Sequence, residues 1–329
     1  MRKLPVFEVI QPETEEELLL FRHKYHDRFM FSSGGTGLIP ELKKRVYSPE
    51  VLISLQKISD YDYILYDQAT DTLKIGATTK LKTIINSDLI EKYFSGLIDA
   101  AKSVAMPQVR NVATIGGNIC LDTRCLFFNQ SYEWRRGIDK CYKFGGEKCN
   151  AVKGGKRCFA VFAADIPIIL ISVNAKVKIM NELDEEVVIP LKEFYTGKGK
   201  KPNILKEGEF IKEIIIENIS KKEAFFKKFR LRQSIDFPAC SVAFSFDKDS
   251  NGKFKNPVAV LGAVDSGPVF VDLKGILEGK NFNDDEAIEL SAKELEKRAK
   301  PVDNFSSTPY YRKKMVGILF KKIVRSLES

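Results

Sequence analysis

Five of the six cysteines in this 329-residue chain lie between positions 120 and 158. Four of them are separated by 15, 7 and 8 residues, and they are Cys125, Cys141, Cys149 and Cys158. The chain starts with an acidic stretch where a signal segment would be apolar, and it contains no apolar run long enough to span a membrane. We therefore expect a cytoplasmic protein, in which disulfides are rare and clustered cysteines indicate metal or redox chemistry.

The spacing of the four cysteines is compatible with several arrangements. Structural zinc sites usually contain C-x2-4-C pairs, simple ferredoxin sites contain C-x2-C-x2-C runs, and neither pattern occurs here. A four-thiolate site for iron–sulfur or zinc, four buried cysteines without a ligand, and a disulfide pair are all compatible with the spacing. Cys120 lies outside the pattern, and we interpret it as a packed residue.

Residues 122–158, which we call the cysteine segment, are strongly basic. They include nine Lys and Arg residues and four acidic residues, so the segment carries a charge of +5 within a chain of net charge +9. Four thiolates around a cluster form an anion, which nearby cations stabilise. The net charge of the whole chain is equally typical of a Lys-rich solvated surface, or of a patch that meets nucleic acid or an acidic partner.

Two glycine-rich loops are candidates for binding phosphate. The first loop consists of Ser32, Ser33, Gly34, Gly35, Thr36, Gly37 and Leu38, and the second of Thr114, Ile115, Gly116, Gly117 and Asn118. Neither loop matches the P-loop or the GxGxxG pattern, and each alone is compatible with a plain tight turn. Because adjacent glycines let backbone N–H groups approach phosphate oxygens, the two loops together could hold one pyrophosphate.

The hydrophobic pattern predicts an α+β chain. Strands are expected at 5–10, 29–31, 51–55, 63–66, 73–77, 175–179, 187–189, 209–216, 225–233, 242–246 and 257–264, and helices from 12, at 81–85, 97–104, from 164, at 284–299 and at 309–326. Strands followed by helices predict a separate C-terminal α+β domain, with an antiparallel sheet, from about Ile219.

The two loops resemble the paired FAD pyrophosphate loops in the flavin subunits of molybdenum hydroxylases, and the resemblance covers nearly the whole chain. It implies a two-part FAD-binding domain of the vanillyl-alcohol-oxidase/CO-dehydrogenase-flavoprotein type over residues 1–218, and a CO-dehydrogenase-flavoprotein C-terminal domain over 219–329. It also implies that Asp165, Leu205 and Lys228 contact the cofactor. The first loop departs from the commoner Ala-Gly-Gly-x-Ser form at Ser33 and Gly37.

The cysteine segment is similar to an insertion in one branch of that family, the β subunits of 4-hydroxybenzoyl-CoA reductases. The similarity lies in the sequence LDTRCLFFNQSYEWRRG and in the three intervals between the cysteines. It implies one [4Fe–4S] cluster, and its ligands would be Cys125, Cys141, Cys149 and Cys158.

This resemblance further implies an electron-transfer subunit without catalytic residues of its own. Its partners would be a molybdopterin subunit and a [2Fe–2S] subunit, in a dimer of heterotrimers. The electron donor would be a ferredoxin, and we expect a basic face around Arg135, Arg136 and Lys140 to dock it. His23 and His26 are interpreted as surface residues.

Two other functions are considered. The chain could be the FAD subunit of a xanthine-dehydrogenase-like hydroxylase that oxidises a purine or another heteroaromatic compound, although such subunits mostly lack the cysteine segment. It could also be a basic nucleic-acid-binding protein in which the cysteines bind a structural zinc ion. That interpretation leaves the paired loops unexplained, and no known nucleic-acid-binding motif is present. We therefore expect neither nucleic acid nor a membrane as a partner.

Overall fold

The structure, a computed structural model of the chain, describes residues 3–232, 235–247, 249, 252–303 and 307–327. The strands are β1 (Glu8–Ile10), β2 (Phe29–Ser32), β3 (Val51–Ser54), β4 (Ile64–Asp67), β5 (Thr72–Gly76), β6 (Lys176–Met180), β7 (Glu186–Pro190), β8 (Phe210–Glu217), β9 (Lys222–Phe229), β10 (Cys240–Asp247), β11 (Lys255–Gly262) and β12 (Val269–Asp272). The helices are α1 (Glu15–Tyr25), α2 (Leu38–Lys43), α3 (Leu81–Ile85), α4 (Asp88–Ser103), α5 (Pro107–Arg110), α6 (Ile115–Ile119), α7 (Tyr132–Arg136), α8 (Ile166–Ser172), α9 (Leu191–Phe194), α10 (Lys274–Leu277), α11 (Asp285–Arg298) and α12 (Pro309–Arg325). None of the helices in these residues has both the length and the apolar character needed to cross a membrane.

The N-terminal sheet is parallel, with strand order β1-β3-β2. Parallel neighbours need crossover connections, and α1 and α2 provide them. The Thr14 hydroxyl caps α1 by accepting a hydrogen bond from Glu17 N at 3.2 Å, and three acidic residues in the first turn complement the helix dipole. The first glycine loop connects the end of β2 to the start of α2.

The second sheet is antiparallel, with strand order β4-β5-β8-β6-β7. One face carries buried Leu73, Ile75 and Ile214, which pack with α3, α4 and α8 in the largest core cluster. The two predicted hairpins, β4–β5 and β6–β7, are confirmed. The helix α8 is buried along its whole length, as its uninterrupted apolar run predicts.

The C-terminal sheet has the order β12-β11-β10-β9 and is buried on both faces. Phe244 on one face packs with Phe320 of α12, and their ring centroids lie 5.1 Å apart. On the other face, Phe226 and Val260 belong to the same core cluster as residues of α4 and α8. This shared core joins the C-terminal sheet to the rest of the protein. The three sheets and the helices packed on them confirm the predicted α+β fold class. The predicted domain boundary near residue 218 stays a prediction.

Several predicted boundaries differ from the structure. The helix α4 begins at Asp88 instead of 97, because Ser87 caps it by accepting from Ile90 N and the helix continues past non-helical dihedrals at Phe94. The strand β9 ends at Phe229 instead of 233, where it pairs with Cys240 at the start of β10; residue 233 lies outside the described residues. The unpredicted β12 is a four-residue strand that is defined by its pairing with β11.

Candidate functional site

The two glycine loops touch each other in the structure. The Thr114 hydroxyl donates to the Ser33 hydroxyl at 3.0 Å. A Cβ atom at Gly34 would lie 2.0 Å from the carbonyl oxygen of Val112, so only glycine permits this approach. Gly35 has φ +67°, which also favours glycine. The loops are distant in the sequence but in contact in the structure; the first loop is partly exposed, and most of the second loop is buried.

The second loop is connected to the start of α8. Thr114 Oγ1 accepts a hydrogen bond from Gly117 N at 3.1 Å and caps the short helix α6. The side-chain oxygen of Asn118 accepts from Ile166 N at 3.2 Å. This bond places Asn118 beside Asp165, the residue that precedes α8.

Asp165 and Lys228 form a buried ion pair. Lys228 Nζ lies 2.7 Å from Asp165 Oδ2 and 3.1 Å from the carbonyl oxygen of Ser103, and the two side chains are 4% and 5% exposed. Burial raises the pKa of the Asp165 carboxyl, and the ammonium of Lys228 opposes that rise. Lys228 reaches this position because it shares the inward face of β9 with Ala224 and Phe226.

One oxygen of Asp165 lacks a hydrogen-bond donor within the described part of the chain. Asp165 Oδ1 is buried and accepts no hydrogen bond from any residue that the structure describes. Buried acceptors without a donor are rare in folded proteins. Together with the exposed loop backbone, this acceptor fits a ligand that carries both phosphate and hydroxyl groups. Leu205, by contrast, is half-buried at the rim of the core, and no polar contact joins it to these residues.

The four candidate cysteine ligands line one small cavity. Its lining comprises Cys125, Phe127, Phe128, Cys141, Tyr142, Lys143, Cys149, Asn150, Ala151, Cys158, Phe159 and Ala160. Each of the four thiols is free and half-buried, and burial raises the pKa of Cys125 and of Cys158. In the positions seen here, no three His, Cys, Asp or Glu side chains of the described residues form a group that could hold a single metal ion. The site is therefore a cleft with four thiols and an apolar wall.

The other two cysteines lie elsewhere. Cys120 packs against the main core at the end of α6, and burial raises the pKa of its thiol to about 12. Cys240 is buried at the start of β10. The position of Cys120 agrees with its interpretation as a packed residue.

The basic residues of the cysteine segment divide into buried and exposed groups. Lys143, which lines the cavity, has a 5% exposed side chain and donates to Asp122 at 2.7 Å. Arg124 lies 3.5 Å from Glu41 of α2 and stacks on the ring of Phe237 at 4.2 Å. Lys143 is therefore a buried cation beside the thiols, whereas Arg124 is only partly buried and lies outside the cavity lining.

The prediction of a basic docking face is wrong for one of its three residues. Arg135 is only 1% exposed, because its guanidinium is directed inward to backbone carbonyls, so it cannot belong to a surface. Arg136 and Lys140 are exposed, as are Lys153 and Lys156.

Sequence patterns did not identify some residues of the candidate site. The Ser103 carbonyl and the carboxylate of Glu41 are positioned by α4 and α2, and nothing in their local sequence marks them. Asp122 accepts both from Lys143 and from the Tyr47 hydroxyl, the latter at 2.8 Å. A buried ammonium such as that of Lys143 requires an anionic or polar partner, and only this requirement could have indicated that a carboxylate lies beside it.

The fold and the joined loops define a flavin-binding oxidoreductase subunit. A family model described as the FAD binding domain in molybdopterin dehydrogenase matches residues 5–217, and one described as the CO dehydrogenase flavoprotein C-terminal domain matches residues 224–327. The chain therefore belongs to the family of FAD-binding subunits of molybdenum hydroxylases of the CO dehydrogenase medium-chain type. The predicted resemblance to the flavin subunits of molybdenum hydroxylases is thereby confirmed.

Individual relatives span the chain at low identity. The glyceraldehyde dehydrogenase medium chain of Sulfolobus acidocaldarius is 24% identical over 323 residues, which cover 98% of this chain and 99% of that protein. The aldehyde oxidoreductase FAD-binding subunit PaoB of Escherichia coli is 27% identical over 238 residues, 68% of this chain and 72% of that one. A solved carbon monoxide dehydrogenase from Hydrogenophaga pseudoflava has a TM-score of 0.77 at 22% identity, over 97% of this chain and 96% of that one. This last likeness concerns the fold.

The buried pair yields a prediction for stability and cofactor binding. Replacing Lys228 by Met leaves the Asp165 carboxylate buried without its cation, so we expect a loss of about 3 kcal/mol in the free energy of unfolding at neutral pH. The loss should shrink as the pH falls, because a protonated Asp165 needs no counter-ion. Urea unfolding measures the stability, and FAD titration of the same variant should show weaker binding.

Lys227 offers a matched control, because it occupies the opposite face of β9. Lys227→Met should leave both measurements near those of the unmodified protein, and the double variant Asp165→Asn/Lys228→Met should regain most of the stability. Equal effects of Lys227→Met and Lys228→Met would contradict the assigned role of the pair.

Proposed function

We propose that this chain is the electron-transfer flavin and iron–sulfur subunit of a molybdenum-containing 4-hydroxybenzoyl-CoA reductase, an enzyme of anaerobic aromatic degradation. The observation that carries the proposal is the common cavity of Cys125, Cys141, Cys149 and Cys158. Long intervals separate these residues in the sequence, so a random packing of buried cysteines would not place all four around one space.

The residues present fit the two cofactors. The backbone of the joined glycine loops would hold the FAD pyrophosphate, and Asp165 Oδ1 would accept from a hydroxyl of the cofactor. The four thiols would hold a [4Fe–4S] cluster, which needs four thiolates. When bound, these groups would carry electrons from a low-potential donor to the [2Fe–2S] and molybdenum centres of partner subunits, where the ring hydroxyl would be removed.

The environment of the thiols suits an anionic cluster. Phe127, Phe128 and Phe159 form an apolar part of the cavity wall, and an apolar surrounding strengthens local charge interactions. Lys143 brings a positive charge to the lining and is held in place by Asp122 and by the Thr123 hydroxyl. These contacts would hold one positive charge beside the four thiolates.

We further propose a molybdopterin subunit and a [2Fe–2S] subunit as partners, in a dimer of heterotrimers, with a ferredoxin as the electron donor. Relatives named as a medium chain and as a FAD-binding subunit support an assembly of several chains. On the cysteine segment, exposed cations lie with the exposed side chains of Leu126, Tyr132 and Trp134. Exposed apolar and basic side chains on the same segment suit an acidic protein partner.

Metal and flavin content test the proposal directly. Protein purified without oxygen should show flavin bands over a broad absorbance near 400 nm, with about four irons per FAD. Cys141→Ser or Cys149→Ser should lower the iron content, whereas Cys120→Ser, outside the cavity, should leave it unchanged. Flavin without iron in protected protein would remove the cluster, and zinc without flavin would favour the nucleic-acid-binding interpretation.

A hydroxylase that works in the oxidative direction is the second candidate. It is favoured by the names of the relatives, which are a glyceraldehyde dehydrogenase chain and an aldehyde oxidoreductase subunit. The purified complex should consume 4-hydroxybenzoyl-CoA when a reduced ferredoxin is supplied. If it instead oxidises an aldehyde or a heteroaromatic compound with a soluble acceptor and leaves the thioester intact, the second candidate replaces the first.

Charge reversal tests the docking face. Arg136→Glu combined with Lys140→Glu should slow electron transfer from ferredoxin to FAD by roughly tenfold at low salt, because these charges steer an acidic donor. The difference should shrink at high salt, where exposed charges are screened. Lys297→Glu on α11 changes the net charge at a distant exposed position and serves as the control. Equal rates for all three proteins at low salt would exclude this face.

A further inference from the structure

Arg135 is a buried cation that joins two parts of the chain. Its guanidinium donates to the carbonyl oxygens of Phe128 at 3.3 Å and Gln130 at 2.6 Å, both within the cysteine segment. It also donates to the carbonyl oxygens of Lys44 at 3.3 Å and Arg45 at 2.8 Å. The fork of donors in arginine suits such a set of carbonyls, and the ring of Phe144 lies 5.0 Å away.

The two carbonyls at residues 44 and 45 follow directly after α2. This helix begins at Leu38, the last residue of the first glycine loop, and it is only six residues long. Two further contacts reach the same region from the cysteine segment. Tyr47 donates to Asp122 at 2.8 Å, and Arg124 lies 3.5 Å from Glu41. The N-terminal end of α2 therefore continues from the first glycine loop, and its C-terminal end contacts the cysteine segment.

The cysteine segment has little regular structure of its own. Its elements are the five-residue α7, one 3-10 turn at Tyr142–Phe144 and isolated bridges that include the pair Cys141 and Lys148. Few of its side chains are fully buried, and Phe128 and Arg135 are among them. A segment with so little regular structure is ordered largely by the metal centre that its cysteines bind, since metal binding and folding are coupled in small metal sites.

We infer that Arg135 couples the two cofactor sites. A filled cysteine cavity orders the segment, the ordered segment presents Arg135 to the end of α2, and α2 then holds the first glycine loop in the form that binds FAD. Arg135 is thus a positioning residue that touches neither cofactor. The inference rests on the proposed function, because it requires a cluster in the cavity. By linkage, bound FAD must favour retention of the cluster by the same factor.

The coupling is measured as a ratio of FAD dissociation constants. The constant is determined for the full chain with its cluster and again after anaerobic removal of iron with a chelator. In the unmodified protein, the form with the cluster should bind FAD at least about fivefold tighter. In Arg135→Gln the ratio should fall close to one. A residue with a merely structural role would weaken FAD binding in both forms and leave the ratio unchanged.

Two variants complete the comparison. Arg136→Gln removes the neighbouring cation, which is exposed, and should keep the full ratio. Arg135→Lys retains a donor in the same place and should keep part of it; this variant carries the test if Arg135→Gln retains too little iron. Hydrogen exchange gives an independent measurement, because the amides of Arg45 and Val46, bonded to α2 carbonyls, should exchange faster after iron removal in the unmodified protein and fast in both forms of Arg135→Gln.

The possible failures are distinguishable. Iron in the unmodified protein combined with equal FAD affinities in both forms overturns the coupling alone. An unchanged ratio in Arg135→Gln assigns the coupling to another contact and also overturns the inference. Absence of iron from carefully protected protein overturns the proposed function, and this inference with it.

Discussion

The contact between the two glycine loops is the constraint on which the rest of the site depends. Gly34 lies directly against the carbonyl of Val112, and the Ser33 and Thr114 hydroxyls are hydrogen-bonded. No side chain fits between these backbones, so the parallel N-terminal sheet and the helix α6 are held at a fixed separation. From α6, the bond between Asn118 and the start of α8 continues the connection to Asp165, and Asp165 continues it to β9. Residues from four separate regions of the chain are thereby held in fixed positions relative to one another.

Buried cations connect the parts of this protein. Lys228 pairs with Asp165 between α8 and the C-terminal sheet, and Lys143 pairs with Asp122 beneath the cysteine cavity. Arg312 of α12 donates to the carbonyls of Ala239 and Val302, and also to Ala263, so it anchors the last helix to the sheet. A buried charge is tolerated only when its hydrogen-bonding groups are satisfied. Each of these cations therefore requires its partners in one arrangement.

Local patterns predicted most of the fold. Pairs of strand-like segments in close succession predicted the hairpins β4–β5 and β6–β7, period-2 alternation predicted β8, and an unbroken apolar run predicted the buried α8. The errors were at boundaries and in a short strand, where pairing between strands decides the outcome: β12 exists because it pairs with β11, and β9 ends where its pairing with β10 ends. For the candidate site, spacing selected the four cysteines that share a cavity and set Cys120 apart. The resemblance to a known family, and not spacing, selected Asp165 and Lys228, which the structure brings within 2.7 Å of each other.

The sequence by itself determined which residues could take part in chemistry, namely glycines that allow close backbone approach and thiols that are able to bind metal. Its apolar periodicity specified helices and strands. Only the tertiary structure decided which of these residues meet and which cations are buried. Arg135 and Arg136 are adjacent and chemically identical, yet one is enclosed among carbonyls from two regions of the chain and the other faces solvent. The physical reason is that burial and electrostatic partnership depend on neighbours that are remote in the chain, and no local pattern contains that information.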